Sequence, residues 1–379
     1  MSLSSANMKT IKLARGLPPL SIMQHLAPEL LKSLEQGLKD DSLAFLQYGH
    51  FAGYEPLREY IAAKFGVEKK RVFIGNGSMD TLSIFLTMLT HQHGVQHFAC
   101  AKEVYDRPLV IAKALGLDPQ GVPLTEDGFD VEALTSTITA RDSKGVVYTI
   151  PWFDNPSGID HSDANREQVA QVAAENGWLT IRDGAYLELA YFDEKPVPSV
   201  PEHVIQTFSW SKTISAGCHT GGIIVPSEYA DAFLHFISSW RLSPVMPTHL
   251  AAHELIASGA WATHMTKTLL PDGRQRVEHF NTLMAKYLPE SQRREIRGGH
   301  FWGGKIAGIT LENWDEFVRI AAEEGGVQVP HHGGFMPLSP PEESVGYIRI
   351  PIFLEDADID DPLQQVVTAL AHARDQVTA

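Results

Sequence analysis

The stretch FSWSKTISAGCHTGG, residues 208–222, decides how this chain is interpreted. Lys212 directly follows a predicted strand, VIQTFS (204–209), and small hydroxyl residues and glycines surround it. Such residues let a phosphate approach backbone and side-chain donors. A lysine in this place can form a Schiff base with an aldehyde cofactor, whereas a lone lysine is more often a solvated surface residue.

Two further stretches place polar side chains just after predicted strands. IRDGAYLEL (181–189) carries Asp183 and Tyr186, and PWFDNPSG (151–158) carries Asn155. If that aldehyde cofactor contains a pyridine ring, an aspartate in this place can keep the ring nitrogen protonated. An amide can donate a hydrogen bond to a phenolate oxygen on the same ring. Taken alone, these residues are also explained by a strand-end cap and an Asn-Pro turn.

A fourth stretch, FIGNGSMDTL (73–82), predicts an anion site. Gly77, Ser78 and Met79 open a predicted helix. The free N–H groups of a helix N-terminus attract anions, although a glycine-serine turn alone is weak evidence.

The rest of the chain alternates short apolar runs with helical patterns. Strands are predicted at 72–75, 97–100, 145–150, 178–181, 204–209 and 221–225. Helices are predicted at 21–38, 56–66, 79–90, 105–115, 131–136, 164–176, 314–323 and 363–377. This alternation predicts an α/β protein with a mostly parallel sheet between helices, whose ligand lies at the carboxyl ends of the strands.

The pattern changes after about residue 288. We expect a large cofactor-binding domain over 45–288, and an N-terminal arm and helix (1–44) that join a small C-terminal α+β domain (289–379). Such boundaries are accurate to a few residues.

Composition argues against nucleic-acid-binding, membrane-bound and disulfide-rich proteins. The chain has 379 residues and a formal net charge of −15, which argues against nucleic acid or an anionic membrane as its main partner. Two cysteines, Cys100 and Cys218, exclude a disulfide framework. The first residues lack the apolar core of a signal peptide, and no apolar run is long enough to span a membrane, so a cytoplasmic location is expected.

Six motifs together resemble one known family over nearly the whole chain: LQYGHFAGYEPLREYIA, GNGSMDTL, NPSG, DGAY, SWSK and YIRIPIF. The chain resembles the fold-type I pyridoxal-phosphate enzymes, and within them the class I/II aminotransferases of the 2-aminoadipate and kynurenine branch. The resemblance implies an aspartate-aminotransferase-like fold with a seven-stranded sheet. It also implies pyridoxal 5'-phosphate as cofactor and a homodimer with shared active sites.

The resemblance also implies roles for individual residues. Lys212 would carry the Schiff base and shuttle the proton, Asp183 would pair with the pyridinium nitrogen, and Tyr105 would stack on the ring. Arg349 and Gly16 would lie at the substrate carboxylate, with Asn155 beside it. The other cofactor contacts are Asn155 and Tyr186 to the phenolate oxygen, and Gly77, Ser78, Met79, Ser209, Ser211 and the neighbouring subunit's Tyr48 around the phosphate. Ordinary alternatives are a surface ion pair for Arg349 and core packing for Tyr105.

Two positions depart from the family pattern. His219 stands where the family usually has an arginine that binds the phosphate, and Arg182 stands where relatives often have an acidic residue. A histidine is neutral or charged near neutral pH. Either a charged His219 helps to hold the phosphate, so that cofactor affinity falls as pH rises, or His219 is a neutral donor of little consequence.

Several aromatic residues and histidines fall where relatives shape the side-chain pocket: His300, Phe301, Trp302, His331, His332 and Phe335. Ordinary core or loop packing is the favoured explanation for them. The adjacent histidines lack a third ligand at useful spacing, so no metal site is expected.

Three functions are compatible with these residues. The first is amino-group transfer between an amino acid and a 2-oxo acid. The second is a specialised biosynthetic reaction in the same site: elimination, replacement, cyclisation or carbon–carbon bond formation. The third, a sensor that binds the cofactor without turnover, is disfavoured because no basic DNA-binding segment precedes the family match near Lys12.

Overall fold

The structure, a computed structural model, describes residues 9–14, 16, 19–291 and 295–379. Its strands are β1 (Ile11–Lys12), β2 (Val72–Gly75), β3 (His97–Ala101), β4 (Asp118–Val122), β5 (Leu124–Thr125), β6 (Gly128–Phe129), β7 (Gly145–Thr149), β8 (Leu179–Arg182), β9 (Val204–Ser209), β10 (Gly221–Ile224), β11 (Phe301–Lys305), β12 (Val327–Gln328) and β13 (Tyr347–Pro351).

The α-helices are α1 (Leu20–Met23), α2 (Ala27–Asp40), α3 (Ser42–Leu46), α4 (Glu55–Phe65), α5 (Ser78–His93), α6 (Asp106–Ala114), α7 (Val131–Thr139), α8 (Asp163–Glu175), α9 (Ser227–Trp240), α10 (Met246–Ala257), α11 (Ala260–His264), α12 (Leu270–Tyr287), α13 (Trp314–Glu323), α14 (Pro341–Ser344) and α15 (Pro362–Thr378).

Seven strands form the central sheet in the order β2-β10-β9-β8-β7-β3-β4, which confirms the predicted α/β class. Within this sheet β10 runs antiparallel to both of its neighbours, and the remaining pairs are parallel. The central strands are buried along their whole length, as expected of a sheet covered by helices on both faces. Sequence analysis missed β4, an edge strand whose Pro119 and Gly121 break the apolar pattern.

The sheet brings the predicted motifs to one edge. Strands β7, β8 and β9 are parallel neighbours, so Asn155, Asp183 and Lys212, which follow them, leave the sheet on the same side. Helix α5 begins on that side directly after β2. Its N-cap Gly77 has φ 102°, a backbone conformation that glycine adopts without strain.

A smaller antiparallel ladder of β11 and β13 follows, with Gly303 opposite Arg349. The N-terminal elements β1 and α2 pack against different elements of the chain. Strand β1 pairs in parallel with β12, whereas helix α2 packs against α10, where a Cβ on Gly37 would lie 3.1 Å from that of Leu250. The two-domain division with its boundaries at 44 and 288 stays a prediction.

We also find that none of the helices within the described ranges combines the length and apolarity needed to cross a membrane.

Candidate active site

A cavity of about 540 Å³ opens at the carboxyl edge of the sheet. It brings together residues from segments that are far apart in the sequence. Eleven of the predicted site residues line it: Gly16, Ser78, Met79, Tyr105, Asn155, Asp183, Tyr186, Ser209, Ser211, Lys212 and Arg349.

Asp183 is held on both sides by the strands that flank β8. The Tyr148 hydroxyl, on β7, donates to Asp183 Oδ2 at 2.6 Å, and the Thr207 hydroxyl, on β9, donates to Oδ1 at 2.8 Å. The backbone N–H of Ala185 also donates to Oδ1, at 3.2 Å. The carboxylate is buried in the lining of the cavity, and these three donors fix its orientation.

Lys212 lies in the turn that follows β9. Three N–H groups, of Thr213, Ile214 and Ser215, donate to the Trp210 carbonyl oxygen at 3.2, 2.8 and 3.2 Å and close this turn. Burial, and after it the positive charge of Arg349, lower the pKa of Lys212 to about 8. A substantial fraction of this amine is therefore neutral, and thus nucleophilic, at a pH where an ordinary lysine is fully charged.

Arg349 lies on β13 and lines the same cavity. Its Nη1 donates to Asn155 Oδ1 and its Nη2 to the Ala14 carbonyl oxygen, both at 2.9 Å. The guanidinium carbon lies 4.3 Å from the ring centroids of both Phe301 and Phe335. A buried guanidinium fixed between two rings presents a rigid fork to a carboxylate.

Gly16 lies directly against Phe301, one of the two rings that flank the Arg349 guanidinium. A Cβ built on Gly16 would come within 2.1 Å of Phe301 Cε1. The space is therefore available only to glycine, unless the Phe301 ring moves away from Arg349.

Asn155 connects Arg349 to Tyr186 through two hydrogen bonds. Its Nδ2 donates to the Tyr186 hydroxyl oxygen at 3.3 Å, while its Oδ1 accepts from Arg349. Both Asn155 and Tyr186 are buried, and burial raises the pKa of the Tyr186 hydroxyl, which is therefore protonated at neutral pH.

The predicted anion site lies at the start of α5. Ser78 and Met79 form the first turn of this helix and line the cavity together with Ser209 and Ser211. The Ser211 N–H donates to the Ser209 hydroxyl oxygen at 3.2 Å, so the two serines are adjacent. Hydroxyl groups at the N-terminus of a 16-residue helix are suited to an anion.

Three predicted site residues lie outside the cavity lining: Gly77, His219 and Tyr48. Gly77 caps α5, and the His219 carbonyl oxygen lies 4.0 Å from where a Gly77 Cβ would stand. His219 is exposed, on a backbone with φ 47°. Tyr48 is 75% exposed in the single chain. The roles expected of these residues stay predictions.

The expected side-chain pocket divides into lining and core residues. Phe301 and Phe335 line the cavity, whereas Trp302 is buried among core residues and His332 Nδ1 is 2.8 Å from the Ser344 hydroxyl. His300 is fully buried with its ring 5.7 Å from that of Tyr186.

Sequence analysis missed four polar or charged residues at this site. Tyr148 and Thr207 hold Asp183, and Asp106 and Arg107 line the cavity. Strand register identifies the first two, which are on the strands beside β8. The second two adjoin Tyr105, so proximity to that residue could have indicated them.

Comparisons with known proteins agree with this site. The family model for aminotransferase class I and II matches residues 9–288. A 2-aminoadipate transaminase from Thermus thermophilus is 27% identical over 84% of this chain and 80% of its own length. An aromatic-amino-acid aminotransferase from Thermococcus litoralis is 26% identical over 79% of this chain and 74% of its own length.

The fold also matches a solved structure. The alpha-aminoadipate aminotransferase from Thermus thermophilus, complexed with N-(5'-phosphopyridoxyl)-L-leucine, superimposes with a TM-score of 0.80 at 23% identity, covering 97% of this chain and 92% of that one. The match of the family model over 9–288 and the agreement along the chain lead to one conclusion: this protein belongs to the aminotransferase class I and II family and is a pyridoxal-phosphate-dependent transferase.

Proposed function

We propose that this enzyme transfers an amino group between an amino acid and a 2-oxo acid, with Lys212 as its covalent and proton-transferring residue. The observation that carries the proposal is the convergence of an amine, a carboxylate and a guanidinium on one cavity: Lys212, Asp183 and Arg349. Each of the three has a chemically distinct task in this reaction.

The residues present fit pyridoxal phosphate. Lys212 supplies a buried amine for its aldehyde, and Asp183 supplies a carboxylate, already fixed by two hydroxyl donors, for the ring nitrogen. The first turn of α5 with Ser209 and Ser211 supplies donors for the phosphate. When bound, the cofactor supplies an electron sink for the bond that breaks at the α-carbon of the substrate.

The protein's own groups perform the remaining work. Lys212 Nζ takes the α-proton and returns a proton, a task suited to an amine with a pKa of about 8. Asp183 would keep the ring nitrogen protonated. Asn155 and Tyr186 would donate toward the phenolate oxygen, and Tyr105 would cover one face of the ring.

Arg349 would bind the α-carboxylate that amino acids and 2-oxo acids share. Its fork can form two parallel charge-assisted hydrogen bonds with one carboxylate. The named relatives act on 2-aminoadipate and on aromatic amino acids, so an amino-acid donor is supported for this chain as well.

We also propose that the active enzyme is a homodimer in which Tyr48 reaches the neighbouring subunit's phosphate site. The 75% exposure of Tyr48 in the single chain supports this arrangement.

A cytoplasmic location accords with two cysteines, Cys100 and Cys218, that are unpaired thiols.

The experiment that tests the role of Lys212 is reductive trapping. The purified holoenzyme is treated with borohydride, digested, and analysed by mass spectrometry. We expect one pyridoxyl-modified peptide, with the label on Lys212. A label on another lysine would overturn the assignment.

A further inference from the structure

An arginine and an aspartate that do not line the cavity meet at the start of α5. Arg241, the residue that directly follows α9, donates from Nη1 to Asp80 Oδ2 at 2.5 Å and from Nη2 to the Ile74 carbonyl oxygen at 3.2 Å. Asp80 is the third residue of α5, directly after Ser78 and Met79. The pair therefore lies at the helix end that is proposed to bind the cofactor phosphate.

The Asp80 carboxylate is held against the turn that precedes α5. Its Oδ2 also accepts a hydrogen bond of 3.1 Å from the N–H of Asn76, two residues before the first residue of the helix. A Cβ on Gly75 would lie 2.8 Å from the same oxygen and 2.7 Å from Arg241 Nη1. The carboxylate is thus close to the backbone N–H groups that open α5, and a side chain at position 75 would meet the ion pair.

The charge of this carboxylate matters for an anion at the same helix end. The four side chains that line the cavity where the phosphate is proposed to bind are uncharged: Ser78, Met79, Ser209 and Ser211. A phosphate there would depend on the free N–H groups and the dipole of the helix N-terminus. An unpaired carboxylate would repel the phosphate, whereas a carboxylate paired with a guanidinium is neutralised.

We propose that Arg241 is a positioning residue for cofactor binding, which neutralises Asp80 and thereby enables the start of α5 to accept the phosphate. The inference rests on the proposed function, because it takes this helix end as the phosphate site. Burial favours it, since the side chains of Arg241 and Asp80 are only 11% and 32% exposed and solvent ions screen such charges weakly. The alternative is a purely structural pair that fastens the segment after α9 to β2 through the Ile74 carbonyl.

The test compares pyridoxal phosphate with pyridoxal, which lacks the phosphate. Equilibrium dialysis measures the affinity of the full-length apoenzyme for each compound, and the ratio of the two affinities reports on the phosphate. Arg241→Gln should lower that ratio about tenfold or more, because it leaves Asp80 charged and unpaired at the phosphate site. Arg241→Lys keeps the positive charge and should lower the ratio less.

Removing the carboxylate separates the two explanations. The double variant Arg241→Gln/Asp80→Asn should recover most of the lost ratio, and Asp80→Asn alone should keep the wild-type ratio or raise it. The matched control is Arg71→Gln, which removes a buried guanidinium that is paired with Glu202 and lies immediately before β2, at the other end of that strand. This control should leave the ratio unchanged.

A second readout uses inorganic phosphate as the probe. Inorganic phosphate should compete with pyridoxal phosphate for the wild-type apoenzyme. Its apparent affinity should fall in Arg241→Gln and return in the double variant, because the repulsion by Asp80 acts on any phosphate bound at the start of α5.

Three results would overturn the proposal: an unchanged affinity ratio in Arg241→Gln, a double variant with a ratio no higher than that of Arg241→Gln, or an Asp80→Asn variant whose ratio falls as far. Failure of the proposed function would look different. The holoenzyme would then bind pyridoxal phosphate but transfer no amino group, and the affinity ratios would still decide the role of Arg241.

Discussion

Arg349 Nη1 donates a hydrogen bond of 2.9 Å to Asn155 Oδ1, which joins the proposed substrate-carboxylate site to the proposed cofactor site. The same Asn155 donates from its Nδ2 to Tyr186, at 3.3 Å. The residue proposed to hold the substrate carboxylate and the residues proposed to contact the phenolate oxygen thus form one buried network. A change at Arg349 is therefore expected to remove one hydrogen bond from Asn155 as well as the proposed contact with the substrate carboxylate.

Replacing Arg349 should separate substrate binding from cofactor binding. Arg349→Lys keeps the charge but loses the fork and its place between Phe301 and Phe335. We expect kcat/KM for amino acids to fall about tenfold to a hundredfold, with the cofactor still bound. Steady-state kinetics together with the visible spectrum check this, and Arg319→Lys, on the exposed face of α13, is the matched control. An unchanged kcat/KM would show that Arg349 does not bind the substrate carboxylate.

The low pKa of Lys212 should be visible in the rate at which apoenzyme takes up the cofactor. Only the neutral amine attacks the aldehyde, so the rate should rise with pH and level off above about 8. Arg349→Gln removes a positive charge that helps to lower this pKa, and should move the midpoint upward. Stopped-flow measurement of the yellow band follows both. A rate that keeps rising to about pH 10, as for an ordinary lysine, would contradict the account.

His219 stands where an arginine would place a permanent positive charge near the cofactor phosphate. His219→Arg should therefore bind the cofactor more tightly than the wild type does. Equilibrium dialysis against pyridoxal phosphate checks this, with the exposed His372→Arg as control. Equal affinities of the wild type and His219→Arg would show that residue 219 does not contribute to phosphate binding.

Asp154, beside Asn155, should make folding stability depend on pH. Burial raises its pKa from 3.8 to about 7, against the opposing hydrogen bonds from the Ser157 side chain and N–H. Because the folded-state value is the higher one, its contribution to stability is complete below about pH 4 and is lost as pH rises through about 7. The loss is about 4 kcal/mol, at about 1.4 kcal/mol per pKa unit.

Asp154→Asn stays neutral and should lack that loss. Urea unfolding of the wild type and the variant from pH 4 to pH 8 measures the difference in the free energy of unfolding, and the exposed Asp127→Asn is the control. A difference that does not change with pH would show that Asp154 is not protonated in the folded protein.

The sequence predicted the centre of the site because strand order places it there. Asn155, Asp183 and Lys212 follow three apolar runs, and parallel neighbouring strands bring such positions together. The holders of Asp183 could not be predicted, since Tyr148 and Thr207 lie inside apolar runs and only the register of β7, β8 and β9 directs them to one carboxylate.

Parts of the fold were missed for different reasons. Strand β4 contains Pro119 and Gly121 and is defined by its pairing with β3 alone. The helices over 227–287 were not assigned, although Phe233 and Ile237 on α9 are buried at helical spacing and indicate one.

The most direct test of amino-group transfer through Lys212 is a spectroscopic cycle on the purified holoenzyme. A panel of amino acids is added with no 2-oxo acid present, and a 2-oxo acid is added afterwards, with Lys212→Ala treated in parallel. We predict that the yellow absorption of the bound cofactor disappears with at least one amino acid and returns with the 2-oxo acid, and that Lys212→Ala does neither. Turnover without a 2-oxo acid, with release of ammonia or another leaving group while the yellow absorption persists, would contradict the account.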